Sequence, residues 1–331
     1  MQTADAPKNS PYYKKAALKY KDLIRRYKIG YPYLSDFDLA RQIIKLEKLN
    51  YHPNTFRNFI AYLTEPNSDI SLDNNDFIIE IPESAYKERE RFIIPTAIDR
   101  LLFISDIHIP YHNIDAVRVA IKYGYDKGMR GIFLGGDIID FYGISRYQRL
   151  PHLRHVKSDI EATRQFLTNL RNKFPELEIY YKMGNHEERW TNYLIDKAPE
   201  IFDMDSIQLD DILHLTKLRI IQIDSLQISE FGRLNILHGH EIMGGGVHVA
   251  RNFRIKASDN ILFGNFHRTK EDLTKTIKDK IMGAWAVGCL CGLSPDYMPI
   301  NDWNLGFAFI TRENDDNFSV ENKKIINGYI H

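Results

Sequence analysis

Residues 101–108 read LLFISDIH, an apolar run the length of a buried strand that stops at Asp106 and His108. The same event recurs along the chain. GIFLGG (131–136) runs into GGDIID with Asp137 and Asp140, and LEIYYKM (177–183) runs into GNHEE with Asn185 and His186. RLNILHG (233–239) ends in HGHE with His238 and His240, and NILFG (260–264) ends in GNFH with Asn265 and His267. Helical stretches separate the first three runs. Asn113 begins one, with Val117, Ala120, Ile121 and Gly124 along one side; Ser158 with Glu161 forms a capping-box signature for another, which carries Ile160, Leu167 and Leu170. Strand, helix, strand, helix, strand implies a largely parallel sheet covered by helices. Further short strands, LRIIQI (218–223), IMGAWAVG (281–288) and LGFAFIT (305–311), make the second half strand-rich. The expected fold is layered α/β, with a βαβαβ core and helices on the outer faces.

Upstream the periodicity is helical. Ser10-Pro11 starts a helix in which Tyr13, Ala17, Tyr20, Ile24 and Tyr27 recur on one face up to Gly30. A second helix is expected from Ser35, with Ala40, Ile43 and Ile44 apolar, and a third after Pro53, with Phe56, Phe59, Ile60 and Leu63 on one face. About four residues are expected between them, the connection length of a helix-turn-helix. The polar face of the third helix would show Asn54, Thr55, Arg57 and Asn58, side chains able to read base edges or phosphates. A plain three-helix bundle has the same pattern. The polar, acidic stretch TEPNSDISLDNND (64–76) reads as a linker. The expected division is a helical domain over 1–65, a linker over 66–76 and an α/β domain over 77–331.

The 331 residues, 44% hydrophobic and 27% charged, suit a globular protein with one large core and a small satellite. The formal net charge of zero hides an asymmetry: residues 1–60 hold 12 Lys+Arg against 5 Asp+Glu, an excess of +7 balanced by −7 in the rest. A basic N-terminal module suggests a polyanionic partner, although a solvated charged helix has the same composition. No window approaches 18 consecutive apolar residues, and MQTADAPKNSPYYKK lacks the apolar core of a signal peptide, so a cytoplasmic location and no membrane partner are expected. Cys289 and Cys291 in GCLCG are too close for an unstrained disulfide and too few for a structural zinc site, and read as packing residues at a strand end, with a functional thiol as the lesser alternative.

Ligands of parallel α/β sheets gather at the carboxyl ends of strands. Taken singly, an aspartate there is usually a turn residue and a histidine a satisfied core residue. Five strand ends carrying Asp, Asn or His, four with an adjacent glycine, are harder to explain by turns. Carboxylate, imidazole and amide oxygen form a mixed ligand set suited to Mn, Fe, Zn or similar divalent ions.

DIH, GGDIID, GNHE and HGH, in that order over roughly residues 98–312, resemble the signature of the calcineurin-like metallophosphoesterases. GCLCGLSPDYMPINDWNLGFA is similar, more weakly, to a branch common in phage and mobile elements. The resemblance implies one ion held by Asp106, His108, Asp137 and His267, and a second held by Asp137, Asn185, His238 and residue 265. It implies a hydroxide between the ions as nucleophile and His186 as the group that stabilises or protonates the leaving oxygen. Position 265 departs from the pattern, since Asn265 stands where the family has histidine. An amide oxygen suits hard cations, so the second site is expected to be weaker or biased towards Mn²⁺ or Mg²⁺, with manganese the first choice overall. His240 is open to a swapped or supporting role. Asp140, Arg146 and Arg189 are candidates for supporting or phosphate-binding roles, the arginines equally for solvated helix charges. The expectation is therefore a two-metal phosphoesterase, with nucleic acid as the substrate suggested by the basic module. Two alternatives stay open: a nucleotide, metabolite or protein phosphatase with a protein-binding bundle, and a DNA-binding regulator with a weak or silent phosphoesterase domain.

Overall fold

The computed structural model describes residues 11–64, 82–146, 155–313 and 317–331. The chain divides into two compact units, Met1–Tyr86 and Lys87–His331. The expected linker over 66–76 and the expected start of the α/β domain at Phe77 lie outside the described residues. No helix among the described residues is long and apolar enough to cross a membrane.

The first unit holds three helices, α1 (Pro11–Gly30), α2 (Asp36–Leu46) and α3 (Pro53–Thr64). Ser35 caps α2, its hydroxyl accepting from the Asp38 N–H, and Asp36 and Asp38 complement the positive end of the helix dipole. The expected apolar faces meet: Tyr13, Ala17, Ile24, Leu39, Ala40, Ile43, Phe56, Phe59, Ile60 and Leu63 are buried together. The α2–α3 connection, residues 47–52, is longer than the expected four. Lys48 adopts a left-handed conformation (φ 52°), and the Leu49 N–H closes back on the Ile44 carbonyl at 3.0 Å, so α2 ends early in a Schellman turn. On α3, Asn54 and Arg57 are exposed, while Thr55 and Asn58 are half-buried. The polar face is thus narrower than the sequence suggested.

The second unit contains β1 (Phe92–Ile93), β2 (Arg100–Ile104), α4 (Ile114–Asp126), β3 (Gly131–Leu134), α5 (Val156–Lys173), β4 (Glu178–Lys182), α6 (Glu188–Lys197), α7 (Leu209–Leu213) and β5 (Ile220–Ile223). It continues with β6 (Ser229–Phe231), β7 (Leu234–Ile236), α8 (Val249–Ala257), β8 (Ile261–Phe263), β9 (Lys270–Lys275), β10 (Ile281–Ala286), β11 (Leu305–Arg312), β12 (Phe318–Ile326) and β13 (Tyr329–Ile330). Asn113 caps α4 as expected, accepting from the Ala116 N–H. Ser158 does not cap α5. That helix begins at Val156, and the Ser158 hydroxyl donates to the His155 carbonyl inside the first turn.

Seven strands form one sheet in the order β13-β12-β11-β2-β3-β4-β5, and six form another in the order β1-β6-β7-β8-β10-β9. Within the first, β2 to β5 are parallel and in register through Leu102, Ile132, Ile179 and Ile220. Alternation along each strand sorts side chains to opposite faces. Leu102, Ile104, Ile132, Leu134 and Tyr181 pack outward against α4, α5 and α7. Leu101, Phe103, Phe133 and Tyr180 pack inward against Leu234, Ile236, Leu262 and Trp285 of the second sheet. The outer face of that sheet is covered by Val249, Ala250 and Phe253 of α8. The result is the expected layered α/β arrangement, helices outside two packed sheets. The carboxyl ends of β2, β3, β4, β7 and β8 open to one place.

Candidate metal centre

Beyond the strands the chain stays hydrogen-bonded. Asp106 and His108 donate backbone N–H groups to the carbonyls of Gly136 and Asp137, both at 3.0 Å, and the Gly264 N–H reaches the His238 carbonyl at 2.8 Å. The side-chain-bearing turns are therefore rigid continuations of the ladders. Asp106, His108, Asp137, Asn265 and His267 all adopt left-handed backbone conformations, with φ between 54° and 63°. Each such non-glycine residue costs roughly 1–3 kcal/mol, and such strain gathers where surrounding structure holds side chains to a task. Two glycines permit the closure. A Cβ at Gly184 would overlap Asp137 Oδ1, and one at Gly264 would overlap Ser105 Oγ.

Three overlapping groups have ligand atoms within 4.8 Å of one another: Asp106, Asp137 and His238; His108, Asp137 and His186; and His108, His267 and Cys291. Asp137 is 1% exposed and lies in the first two groups, with His238 Nε2 3.3 Å from Oδ1 and His108 Nε2 3.8 Å from Oδ2. Asp106 accepts from the Ser105 hydroxyl at 2.6 Å and from the Asn265 N–H, and its Oδ1 lies 3.2 Å from His267 Nε2. His108 Nδ1 is taken by Asp140 Oδ1 at 2.9 Å, which turns Nε2 inward. His238 Nδ1 donates to the Gly135 carbonyl at 2.8 Å, again leaving Nε2 inward. This is the orientation that ligating histidines adopt. Buried His238 Nε2 and Asn185 Oδ1 make no hydrogen bond among the described residues. Buried polar atoms left without a partner next to buried carboxylates are what a cation satisfies when it displaces the His238 proton, and the ligand set fits divalent ions.

The electrostatics agree. Burial alone would raise Asp137 and Asp106, but the surrounding histidines hold both below the usual carboxylate range, Asp137 well below. Burial opposes protonation of His238, yet Asp137 and Asp106 outweigh it and raise it to about 10. The buried carboxylates thus demand positive charge at this place, which imidazolium protons or a cation can supply.

His186 donates its backbone N–H to Asp137 Oδ1 at 2.8 Å. Its Nδ1 lies 2.8 Å from the Asp140 carbonyl, and its Nε2 lies 2.8 Å from Arg189 Nη2. Arg189 also donates to the Asp140 carbonyl at 2.8 Å. Other candidates sit apart. His240 lies 3.5 Å from both Glu188 and Glu241, its ring 5.3 Å from that of His238, and it belongs to none of the converging groups. Arg146 is exposed, just past the 3-10 turn Tyr142–Ile144. Asn265 is anchored through its backbone N–H to both Asp106 oxygens.

Sequence reasoning missed two supports. Glu187 is fully buried and accepts from the N–H groups of Asp137, Ile138 and Gly184 at 2.7–2.9 Å, and from the Tyr181 hydroxyl at 2.9 Å. It shapes the turn that aims Asp137, and its place inside GNHE was the available signal. Lys182, also fully buried, lies 3.0 Å from Glu241 Oε1, whose carboxylate accepts the N–H groups of His238 and Gly239. Nothing in the sequence links the two, which are far apart along the chain.

No family model matches the chain. The gene 54 protein of Mycobacterium phage L5 is 25% identical over 230 residues, 64% of this chain and 88% of that one. Among solved structures, vacuolar protein sorting 29 of Cryptosporidium parvum is 13% identical over 70% of this chain and 94% of its own, with a TM-score of 0.39. YfcE, a phosphoesterase from E. coli, is 13% identical over 67% and 98%, with a TM-score of 0.32. Likeness at this level leaves the function of the chain to its own side chains.

Proposed function

We propose that the chain is a divalent-metal-dependent phosphoesterase. The observation that carries this reading is the convergence of Asp106, His108, Asp137, His186, His238 and His267 in overlapping groups, with His238 Nε2 and Asn185 Oδ1 left unsatisfied. The first ion would be held by Asp106, His108, Asp137 and His267, and the second by Asp137, Asn185, His238 and Asn265. When bound, such ions neutralise non-bridging phosphoryl oxygens and make water acidic enough to attack at neutral pH. The protein does the rest. Asp140 orients His108 through Nδ1 and holds His186 through its carbonyl. That contact leaves His186 Nε2 facing the centre, where it can pass a proton to the departing oxygen. Arg189 brings a guanidinium to the same nitrogen, placed to meet a phosphoryl oxygen in a bidentate grip and free His186 as it does so.

Mn²⁺-loaded and Zn²⁺-loaded protein assayed on bis(p-nitrophenyl) phosphate and p-nitrophenyl phosphate, beside a nuclease assay, tests the reading. Metal-dependent turnover of either ester supports it, and preference for the diester favours nucleic acid over a monoester phosphatase substrate. No turnover of any ester with both sites filled would sink it.

Nucleic-acid binding by the helical unit is supported by its +7 charge excess and by exposed Asn54 and Arg57. If Arg57 contacts a phosphate, Arg57→Ala weakens binding across sequences and lowers the salt slope by about one. A full-length chain that binds neither DNA nor RNA at low salt makes the bundle a protein-binding or packing element instead.

A further inference from the structure

The segment between β10 and β11 holds large apolar side chains out in solvent: Tyr297 is 70% exposed and Ile300 93%, with Met298 also exposed. The segment is nonetheless firmly tied. The Gly292 N–H donates to the Tyr111 carbonyl at 2.9 Å, and Tyr111 closes a turn on the His108 carbonyl. At the other end the Asn304 N–H donates to the His267 carbonyl at 2.8 Å. Between these anchors the Asn301 amide nitrogen donates to the Leu293 and Met298 carbonyls, both at 2.8 Å, and its oxygen accepts the Trp303 N–H at 2.9 Å. Both ends of the loop are thus fixed to turns that carry proposed metal ligands. Loops set on a rigid scaffold in this way are where binding side chains gather.

Its aromatic rings lead outward from the centre. The Trp303 ring meets His267 edge-to-face at 4.1 Å, and Tyr297 meets Trp303 at 6.3 Å and 64°. The Tyr297 hydroxyl is raised to about 12, first by the protein around it and then by Asp140, Cys291 and Asp137, with Arg189 opposing them. Its surface is open to solvent while its hydroxyl stays within electrostatic reach of the centre, so the ring overhangs the site. We propose that Tyr297, braced by Trp303, stacks on the base of a nucleotide or nucleic-acid strand whose phosphate lies at the metal centre. The proposal rests on the phosphoesterase reading and names its substrate class. Trp303 abuts a ligand histidine and Tyr297 stands one ring farther out. That spacing suits a ring set off from phosphorus by a sugar, rather than an aryl group esterified directly to it. An open aromatic face accepts any base, for a gain in affinity of about tenfold.

The test measures binding to the full chain loaded with Mn²⁺, by calorimetry, of phosphonates whose P–C bond resists hydrolysis: those of adenosine, of ribose, and benzylphosphonate. The adenosine compound should bind about tenfold tighter than the ribose compound in wild type and in Tyr297→Phe, which keeps the ring. In Tyr297→Ala the difference should vanish with ribose phosphonate binding unchanged. Tyr329→Ala, which removes a ring 74% exposed on β13, should alter neither affinity. A single-stranded oligonucleotide that outbinds the adenosine compound and weakens in Tyr297→Ala identifies a strand as the source of the base, and weaker oligonucleotide binding identifies a free nucleotide. Equal affinity for adenosine and ribose phosphonates in wild type overturns the proposal, as does a preference that survives Tyr297→Ala. Benzylphosphonate binding tighter than the adenosine compound would mean an aryl ester and overturn it too. If Mn²⁺ binds and none of the phosphonates does, the phosphoesterase reading itself fails.

Discussion

On one side of Asp137 the converging groups are the imidazoles of His108 and His267, with the Cys291 sulfur behind them. On another side is His238, whose Nε2 lies 3.3 Å from Asp137 Oδ1 in a group that also holds Asp106. The first side is soft and nitrogen-rich, held by short contacts to Asp140 and Asp106. The second, which the proposed function completes with the amides of Asn185 and Asn265, leans on Glu187 and on the Lys182–Glu241 pair. Asp137 belongs to two of the converging groups, so the two halves of the proposed centre can be perturbed separately.

The largest effect is expected where they meet. Asp137→Asn removes the shared charge and should lower turnover by about 10³-fold or more, on the scale of losing a key electrostatic group. Metal content measured on the folded variant should fall on both sides. Normal turnover with two ions retained would show that the halves do not share Asp137.

Next is the support of the second half. Lys182→Met leaves Glu241 charged and buried without its partner, and should destabilise the protein by about 3–5 kcal/mol in urea unfolding. A loss below about 1 kcal/mol, with the His238 side still binding metal, would show that the buried pair contributes little there.

The third test is pH. His238 is raised from 6.5 to about 10, so in the metal-free chain its contribution is fully present below about 6.5 and is lost as pH rises through 10. Each pH interval of one between those two values is worth about 1.4 kcal/mol, which puts a few kcal/mol at stake. Melting in chelator should therefore drop between pH 6.5 and 10, and His238→Asn should flatten that difference. Since the cation competes with the same proton, Mn²⁺ affinity should rise over the same window. Equal pH profiles for wild type and variant would remove His238 from the charge balance.

The smallest and most selective change is at position 265. Asn265→His should raise Zn²⁺ affinity over Mn²⁺ about tenfold on the second side, and Asn265→Ala should empty it while leaving one tight ion. Paired Zn²⁺ and Mn²⁺ titrations decide this, and unchanged stoichiometry and preference in both variants would place Asn265 outside the centre.

Much of this was legible from local pattern. The parallel strands end where their apolar runs stop, because alternation and breaker residues act over a few positions, and the capping of α2 by Ser35 and of α4 by Asn113 is equally local. Other elements were hidden. β9 is mostly exposed and β12 mostly half-buried, both carry polar residues and give no apolar period, and α8 has an amphipathic face too short to stand out. Residue types at five strand ends determined the chemistry on offer: carboxylate, imidazole and amide. Tertiary structure decided which groups meet. Left-handed turns at Asp106, His108, Asp137, Asn265 and His267 turn side chains inward, the packing of two sheets brings His238 to Gly135, and the segment after β10 brings Cys291 to His267. Such contacts depend on register and layer packing between distant segments, and no periodicity within a single segment encodes them.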